Sequence, residues 1–192
     1  DTRCDLISTD RFHESQHLCK LLLSRGVTRI GMMLPVIDQI ICDGIRCCLE
    51  HHGLELRNDD IRFVPNTTLN NYVQPLYDLL DSGDWPDALI FPCVAPVDLC
   101  DQLCRHRGLV MTDLTLPVSF SDHGIVDRPF PLIYYNTPEM CRLAVEWLHR
   151  KIRHPERQPC RLAVPMIYPE DLGNTTAGDA LSRPHMATGP HP

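Results

Sequence analysis

Short apolar segments alternate with longer amphipathic segments between Arg29 and Val118. The segment Ala88–Phe91, for example, is followed by a turn and then by residues 94–107, where apolar side chains recur at helical spacing. This alternation is typical of βαβ units, whose parallel strands form a sheet that helices cover on both faces. We therefore expect an α/β fold with a doubly wound parallel sheet. Ligands of such sheets bind beyond the carboxyl ends of the strands, so functional residues are expected in the loops 35–39, 92–96 and 121–124.

The composition argues against several classes of protein. At 192 residues the chain can form one large domain or two small lobes. Its apolar runs are shorter than the roughly 18 residues that a membrane-spanning helix needs, and the polar start at Asp1 does not resemble a secretory signal. The net charge is −7 and the 18 basic residues are scattered, so this segment itself is not expected to grip nucleic acid. Residues 173–192, rich in Gly, Thr and Pro, are expected to be a disordered tail.

The chain has 10 cysteines, and most of them lie in predicted helices, largely on apolar faces. A chain of this length can form a core without cross-links, so we interpret the helical cysteines as small buried side chains in a reducing compartment. Disulfides are the alternative interpretation. The helical cysteines are Cys19, Cys42, Cys47, Cys48, Cys100, Cys104 and Cys141.

Thiols and imidazoles also cluster in a way that raises the question of a metal site. The pairs Cys47/His51 and Cys48/His52 have i, i+4 spacing, which places each pair on one face of a helix. Neither pair forms the CxxC knuckle of a structural zinc site. We therefore expect no metal and no other cofactor.

Recognisable catalytic motifs are missing from the sequence, which contains no GxSxG, P-loop, GxGxxG or HExxH pattern. Cys93 follows a predicted strand at the expected ligand edge, where a nucleophile could act, but no histidine partner can be named for it. A buried or half-buried thiol is the simpler interpretation of Cys93. We therefore do not expect an enzyme.

Several short motifs occur in a fixed order along residues 6–176. They are the helix end and turn at 21–30, Asp43-Gly44-Ile45, Trp85-Pro86-Asp87-Ala88-Leu89-Ile90-Phe91, Ser119-Phe120-Ser121-Asp122, Pro131-Leu132-Ile133-Tyr134-Tyr135-Asn136 and the helix at 140–148. In this order and spacing the chain resembles the effector-binding domain of the lactose-repressor (LacI/GalR) family of bacterial transcription regulators.

The resemblance implies the periplasmic-binding-protein-like type I fold, in which two lobes are joined by three crossings of the chain. On this map the second lobe is complete and the first lobe is partial. Residues 1–27 are a remnant of the first lobe and 28–130 form the second lobe. Residues 131–157 return to the first lobe and 158–172 to the second. The remainder of the first lobe and a helix-turn-helix DNA reader are expected upstream of Asp1.

The resemblance also places a ligand site between the lobes, where this chain departs from the family pattern. Ile41 stands where many members have an arginine that clamps the effector. Phe91 ends the strand at the ligand edge and is a further candidate contact, Cys93-Val94 replace the "ND" pair common after that strand, and Ser121 replaces the first Asp of "GFDD". A buried polar group without a partner costs about 1–3 kcal/mol, so an aliphatic side chain cannot replace a guanidinium against a sugar. Either the effector is less polar or effector control has been lost.

Four polar residues complete the candidate ligand contacts, each with a simpler alternative. Asp10 stands near an effector-contact position of the family, or it caps the helix that follows. Asp38 and Gln39 either hydrogen-bond a ligand or cap a helix. Asp122, with His123 beside it, either faces the cleft or forms a surface turn.

We therefore expect a cytoplasmic effector-sensing domain of a LacI-type DNA-binding transcriptional regulator, which binds a small molecule, sugar-like or of another class, between two lobes. It is expected to form a homodimer, to meet DNA only through the upstream helix-turn-helix, and to have no membrane partner. The alternative is a periplasmic sugar-binding protein of a transporter, which would carry a signal peptide and few free thiols.

Overall fold

Strands and helices alternate along the chain, as the sequence predicts. The computed structural model describes residues 4–121 and 130–169. Within these ranges the strands are β1 (Leu6–Ser8), β2 (Ile30–Pro35), β3 (Ile61–Val64), β4 (Ala88–Phe91), β5 (Leu116–Ser121), β6 (Leu132–Tyr134) and β7 (Arg161–Ala163). The helices are α1 (Arg11–Ser24), α2 (Gln39–His51), α3 (Asn70–Ser82), α4 (Val94–His106), α5 (Met111–Leu114) and α6 (Thr137–Arg153).

The strands form two sheets, and every strand pair in them is parallel. The larger sheet has the order β3-β2-β4-β5-β6, and the smaller sheet pairs β1 with β7. Because β2 has β3 on one side and β4 on the other, the strand order reverses at β2, as in a doubly wound sheet. The predicted fold class is confirmed.

Side chains of the central strands alternate between two apolar clusters on opposite faces of the larger sheet. In β2, Met32 and Leu34 enter the cluster formed with α1 and α2, whereas Met33 enters the cluster formed with α3 and α4. In β4, Ile90 and Phe91 divide in the same way. A strand buried on both faces reads as a continuous apolar run, which explains the composition of β2 and β4.

Helices α1 and α2 pack closely, and Gly44 of α2 provides the space. A Cβ atom on Gly44 would lie 2.5 Å from the Phe12 carbonyl oxygen and 2.9 Å from the Ser15 Cβ. On the same side of the sheet, Leu18 and Leu22 of α1 are completely buried. We call the larger sheet with the helices packed against it the larger body, and the smaller sheet with α6 the smaller body. Helix α1 is therefore part of the larger body.

A charged clamp fastens the amino ends of the strands. The Arg29 guanidinium donates two hydrogen bonds to the Asp60 carboxylate, Nε to Oδ2 at 2.8 Å and Nη2 to Oδ1 at 2.5 Å, and it also donates to Asp84. The Asp87 carboxylate accepts from the Thr28 amide, the Thr28 hydroxyl and the Arg29 amide at 2.8–2.9 Å. Together these contacts join the start of β2 to the segments that precede β3 and β4.

The chain passes between the two sheets three times, after β1, after β6 and after β7. The expected boundaries of the lobes need correction. Helix α1, expected in the first lobe, packs in the larger body because its apolar face covers α2. Strand β6 belongs to the larger sheet because it pairs with β5. Strand β7 pairs with β1, and only the segment after it, with Met166 and Ile167, returns to the larger body.

Pro117 lies within an interior strand, although a proline there predicts an edge or irregular position. The pairing of β5 with β6 begins at Ser119, so at Pro117, among the described strands, β5 pairs with β4 alone. The Leu116 amide donates to the Asp87 carbonyl at 2.8 Å, on the β4 side. The amide that proline lacks would point to the other side, where no strand is paired, so no ladder bond is lost.

Helix α6 differs from the others because none of its residues is buried. Its apolar side chains Val145, Leu148 and Ile152 are 62–70% exposed. Ion pairs run along its polar side, including Arg142 with Glu139 at 2.6 Å and with Glu146 at 3.1 Å. Helix α6 packs beside β1 of the smaller sheet.

The interpretation of the helical cysteines as buried side chains is confirmed for five and wrong for Cys47 and Cys141, which are exposed. Burial raises the pKa of the Cys19 and Cys42 thiols above the ordinary value. These two are therefore thiols rather than thiolates at neutral pH. The buried set is Cys19, Cys42, Cys48, Cys100 and Cys104.

Replacing Gly44 with alanine is expected to lower the free energy of unfolding by about 1–3 kcal/mol, because the added methyl group collides with the main chain of α1. In an uncrowded helix the same change stabilises by up to about 1 kcal/mol, so the sign tests the contact. Urea unfolding followed by circular dichroism provides the measurement. The exposed Glu50→Ala on the same helix serves as the control, and a Gly44→Ala protein as stable as the wild type contradicts the packing described.

Replacing Arg29 with methionine is expected to cost up to about 5 kcal/mol, because the Asp60 side chain, only 4% exposed, loses its two hydrogen bonds from Arg29 and keeps only the longer ion pair with Arg57 at 3.8 Å among the described residues. Arg29 also lowers the pKa of Asp84. A lowered pKa stabilises the fold above the ordinary Asp pKa near 4 and loses that effect as the pH falls through the lower value. The stability of the wild type should therefore fall more steeply than that of Arg29→Met between about pH 5 and pH 2. Parallel curves for the two proteins would contradict this assignment; Arg105→Met, in an exposed ion pair, is the control.

Candidate functional site

A cavity of about 820 Å³ lies at the carboxyl ends of the strands, between the larger sheet and the elements of the smaller one. The larger body contributes the ends of β2, β4, β5 and β6, and the other wall comes from β1 and α6. The cavity therefore lies where parallel-sheet topology places ligand sites. Its described lining consists of Ile7, Ser8, Thr9, Arg11, Asp38, Thr67, Pro92, Cys93, Phe120, Tyr135, Thr137, Met140, Cys141 and Ala144.

The described lining contains one cation and one anion, and they form a pair. The Arg11 guanidinium, in the first turn of α1, donates to the Asp38 carboxylate, which follows β2. The Asp38 side chain is 11% exposed and the Arg11 side chain 40% exposed. The pair therefore joins the carboxyl end of β2 to the first crossing of the chain, with the guanidinium still accessible from the cavity.

Aromatic rings flank this pair. The Arg11 guanidinium carbon lies 5.8 Å from the centroid of the Tyr135 ring, within the range of a cation–π contact. The Tyr135 ring is 6.3 Å from the Phe120 ring, centroid to centroid. Arg11 stands next to the first crossing and Tyr135 at the second, so this contact joins residues from two of the three crossings.

Tyr72 of α3 lies in the core near the cavity. Burial raises the pKa of its hydroxyl above the ordinary value, and the nearby Cys93 and Asp38 raise it further. The Tyr72 hydroxyl has no hydrogen-bond partner among the described residues. It stays protonated at neutral pH and contributes an unsatisfied polar atom to the core.

Of the residues that the sequence suggested for ligand contact, Asp38 and Cys93 line the cavity. The Asp38 side chain makes no capping hydrogen bond to α2, because its carboxylate is engaged with Arg11. Cys93 follows β4 and immediately precedes α4, and its side chain is partly buried. These two positions are the structural basis for the ligand-contact proposal.

The other suggested residues that the structure describes, Asp10, Gln39, Ile41, Phe91 and Ser121, are not part of the described lining of the cavity. Asp10 caps α1 by accepting from the His13 amide at 3.2 Å, and its contacts with His13 lower the pKa of its carboxyl group. The Gln39 amide is exposed and donates to Asp43 at 2.9 Å. Both side chains are engaged in helix-surface contacts.

Ile41 and Phe91 lie inside the two apolar clusters, with 1% and 0% of their surfaces exposed. The Ile41 side chain packs against the sheet from α2, so a side chain at this position has no access to the cavity. Ser121 is buried at the end of β5. Asp122 lies outside the described residues, and so does His123.

Several lining residues were not anticipated from the sequence, above all Arg11, Tyr135 and Met140. Arg11 follows the capping residue of a helix, where a charged side chain usually indicates only an exposed surface. Tyr135 and Met140 belong to residues 131–157, which were expected in the first lobe. A clearer signal existed for Tyr135 alone, because it directly follows a strand.

The described residues offer no candidate for a metal site or a membrane-spanning helix. No three His, Cys, Asp or Glu side chains in residues 4–121 and 130–169 are grouped closely enough to hold a metal ion. The His52 ring nitrogen Nδ1 lies 2.8 Å from the Cys48 carbonyl oxygen and 3.9 Å from the Cys48 sulfur. In the same ranges no helix is long and apolar enough to cross a bilayer.

Known structures resemble the whole described fold. A LacI-type transcription regulator from Bifidobacterium animalis subsp. lactis is similar over 86% of this chain, with a TM-score of 0.74 and 18% identity. The fold is that of LacI-type transcription regulators. A LacI family regulator from Enterococcus faecium, solved with bound ribose, gives a TM-score of 0.71 at 15% identity over 88% of the chain. The lac repressor dimer bound to operator and the anti-inducer ONPF gives 0.70 at 13% identity, also over 88%.

The chain spans only part of these LacI-type structures, 65% of the first two and 60% of the lac repressor. No protein-family model matches the sequence, and no curated protein matches it either. The similarity is therefore one of fold.

Replacing Tyr72 with phenylalanine is expected to raise the free energy of unfolding by about 1 kcal/mol, because it removes a buried hydroxyl that lacks a partner. Tyr168→Phe is the matched control. The Tyr168 hydroxyl donates to Glu14, with the carbonyl oxygen at 2.9 Å and the carboxylate at 2.8 Å, so its loss should cost about 1–2 kcal/mol. Thermal and urea unfolding of both variants test the contrast. Equal losses in both would mean that the Tyr72 hydroxyl is satisfied.

Proposed function

We propose that this chain is the effector-sensing part of a DNA-binding transcriptional regulator of the LacI type, with the cavity as its effector site. The observation that carries the proposal is the position of the cavity. It is bounded by the larger body on one side and by β1 and α6 on the other, and it is lined by residues at the first two crossings. A small molecule there would touch both bodies at once.

The proposed mechanism is a shift between open and closed arrangements of the two bodies. A ligand that contacts both walls binds the closed arrangement better and so increases its population. Thr9 at the first crossing and Tyr135 at the second both line the cavity. Rotation about the crossings would therefore change the width of the site directly.

DNA binding is assigned to a helix-turn-helix outside these residues. The scattered basic residues and the net charge of −7 support this division of labour. The lac repressor dimer, which shares the fold, was solved bound to operator DNA. By analogy we propose a homodimer that acts in the cytoplasm. Effector binding would change the distance between its two helix-turn-helix units and thereby its affinity for DNA.

Binding, rather than catalysis, is the proposed use of the cavity. Its described lining offers the thiols of Cys93 and Cys141 as nucleophiles but contains no histidine, lysine or glutamate to activate them. The single carboxylate, Asp38, is paired with Arg11. A LacI family regulator that shares this fold, from Enterococcus faecium, was solved with bound ribose.

The test uses the full-length protein that contains this chain. Selection from random duplex DNA should recover a defined sequence, and a metabolite that raises the melting temperature should change the affinity for that sequence by about 5- to 150-fold. Fluorescence anisotropy with labelled duplex measures this affinity with and without the metabolite. A protein that selects no DNA, or whose DNA affinity ignores every stabilising metabolite, contradicts the proposal.

A variant with a filled cavity locates the effect. Ala144→Trp introduces an indole from α6 into the cavity and is expected to abolish the response to the metabolite while leaving DNA affinity intact. His149→Trp is the matched control, since His149 is on the same helix, is exposed and does not line the cavity. Equal responses in the two variants would place the effector elsewhere.

A further inference from the structure

The charged groups of the cavity set a condition on the molecule that fills it. In its described lining, Arg11 supplies the only positive charge and Asp38 the only negative one, and the two are already paired. A ligand that approaches this pair meets a neutral unit in which the Arg11 side chain is 40% exposed and the Asp38 side chain 11% exposed. Its own charge pattern therefore decides how well it is bound.

A ligand with one charge leaves an imbalance. A carboxylate at Arg11 adds a second anion beside Asp38, and an amine at Asp38 adds a second cation beside Arg11. Removing charges from water is costly unless each is paired, so both cases are unfavourable in this partly buried site. A ligand carrying both charges completes a ring of alternating signs, with its carboxylate at Arg11 and its ammonium group at Asp38.

The remaining wall favours an apolar or aromatic body. The Tyr135 ring contacts Arg11, and the Phe120 ring and the side chains of Met140 and Ile7 line the same cavity. Hydroxyl groups of serine and threonine are present, but the described lining contains no asparagine, glutamine, glutamate or histidine. A sugar needs many paired donors and acceptors, and apart from the Arg11–Asp38 pair the polar side chains of the described lining are the hydroxyl groups of Ser8, Thr9, Thr67, Tyr135 and Thr137 and the thiols of Cys93 and Cys141.

We propose that the effector is a zwitterionic α-amino acid with an apolar or aromatic side chain, held by exchange of salt-bridge partners with the Arg11–Asp38 pair. The inference rests on the proposed function, because it names the ligand class of the same cavity. In this proposal Arg11 binds the carboxylate of the effector. Ile41 cannot do so, because its side chain is buried in the apolar cluster, whereas Arg11 at the start of α1 lines the cavity.

Three phenyl compounds of similar shape, together with ribose as an uncharged sugar, separate the charge requirements. L-phenylalanine carries both charges, 3-phenylpropanoate only the carboxylate, 2-phenylethylamine only the ammonium group, and ribose neither. Isothermal titration calorimetry should give the highest affinity for L-phenylalanine, with each singly charged analogue bound at least about 10-fold more weakly. Equal affinities for the three phenyl compounds, or tighter binding of ribose, overturn the inference.

Charge-removing variants provide the decisive contrast. Asp38→Asn should weaken L-phenylalanine by about 30-fold and strengthen 3-phenylpropanoate, because the second anion no longer has a like charge beside it. Arg11→Met should reverse the preference toward 2-phenylethylamine. A purely structural role of the pair would weaken all four probes together, and that result overturns the inference. Arg105→Met and Asp101→Asn, from a surface ion pair that does not line the cavity, should change none of the affinities.

Two further measurements keep the outcomes distinct. The double variant Arg11→Met/Asp38→Leu leaves no unpaired charge, so it should fold and bind no L-phenylalanine even if a single variant is unstable. A thermal-shift screen of sugars, nucleosides and organic acids is run beside the four probes. If a metabolite of another class binds and amino acids do not, the inference fails and the proposed function stands. If nothing binds at all, both fail.

Discussion

Parallel pairing of β2 with β3 and with β4 is the constraint on which the rest of the structure depends. Parallel strands begin at one edge of a sheet and end at the other, so the loops that follow them converge. The Arg29 clamp holds the beginning of β2 to the segments before β3 and β4, and the cavity with its Arg11–Asp38 pair lies at the opposite edge. The clamp that stabilises the sheet and the cavity proposed to bind the effector therefore lie at opposite edges of the same sheet.

Helix α1 links the two edges. It is anchored in the core by Leu18 and Leu22 and pressed against Gly44, so its position is set by packing over its whole length. Because this packing fixes the position of α1, its first turn holds Arg11 next to Asp38. The geometry of the charged pair is a consequence of apolar packing some distance away.

The sequence predicts the sheet well because the signal is local. Strand β4 is found at its predicted bounds, Ala88–Phe91, since a run buried on both faces and bounded by a proline turn has few alternatives. The positions of Asp38 and Cys93 at the ligand edge follow from the same logic, because each residue comes shortly after a parallel strand.

Prediction from the sequence is weaker where the outcome depends on which distant segments meet. Nothing near β6 or β7 in the chain specifies their partners, so the division into lobes was misplaced at both strands and at α1. Arg11 illustrates the same limit within the site. Its partner is 27 residues away, and the analogy with family positions directed attention to Ile41, on a face of α2 that the sheet covers.

Helix α6 offers a last consequence of this architecture. Since none of its residues is buried, its amide hydrogens are protected mainly by its own ladder of hydrogen bonds and by the side-chain pairs between Glu139 and Arg150. Opening of this helix then costs little more than its intrinsic helical free energy, and it should exchange with deuterium well before the core strands do. One wall of the cavity is thus built on a helix without a buried residue, so that a molecule seated against Met140 would slow isotope uptake in α6.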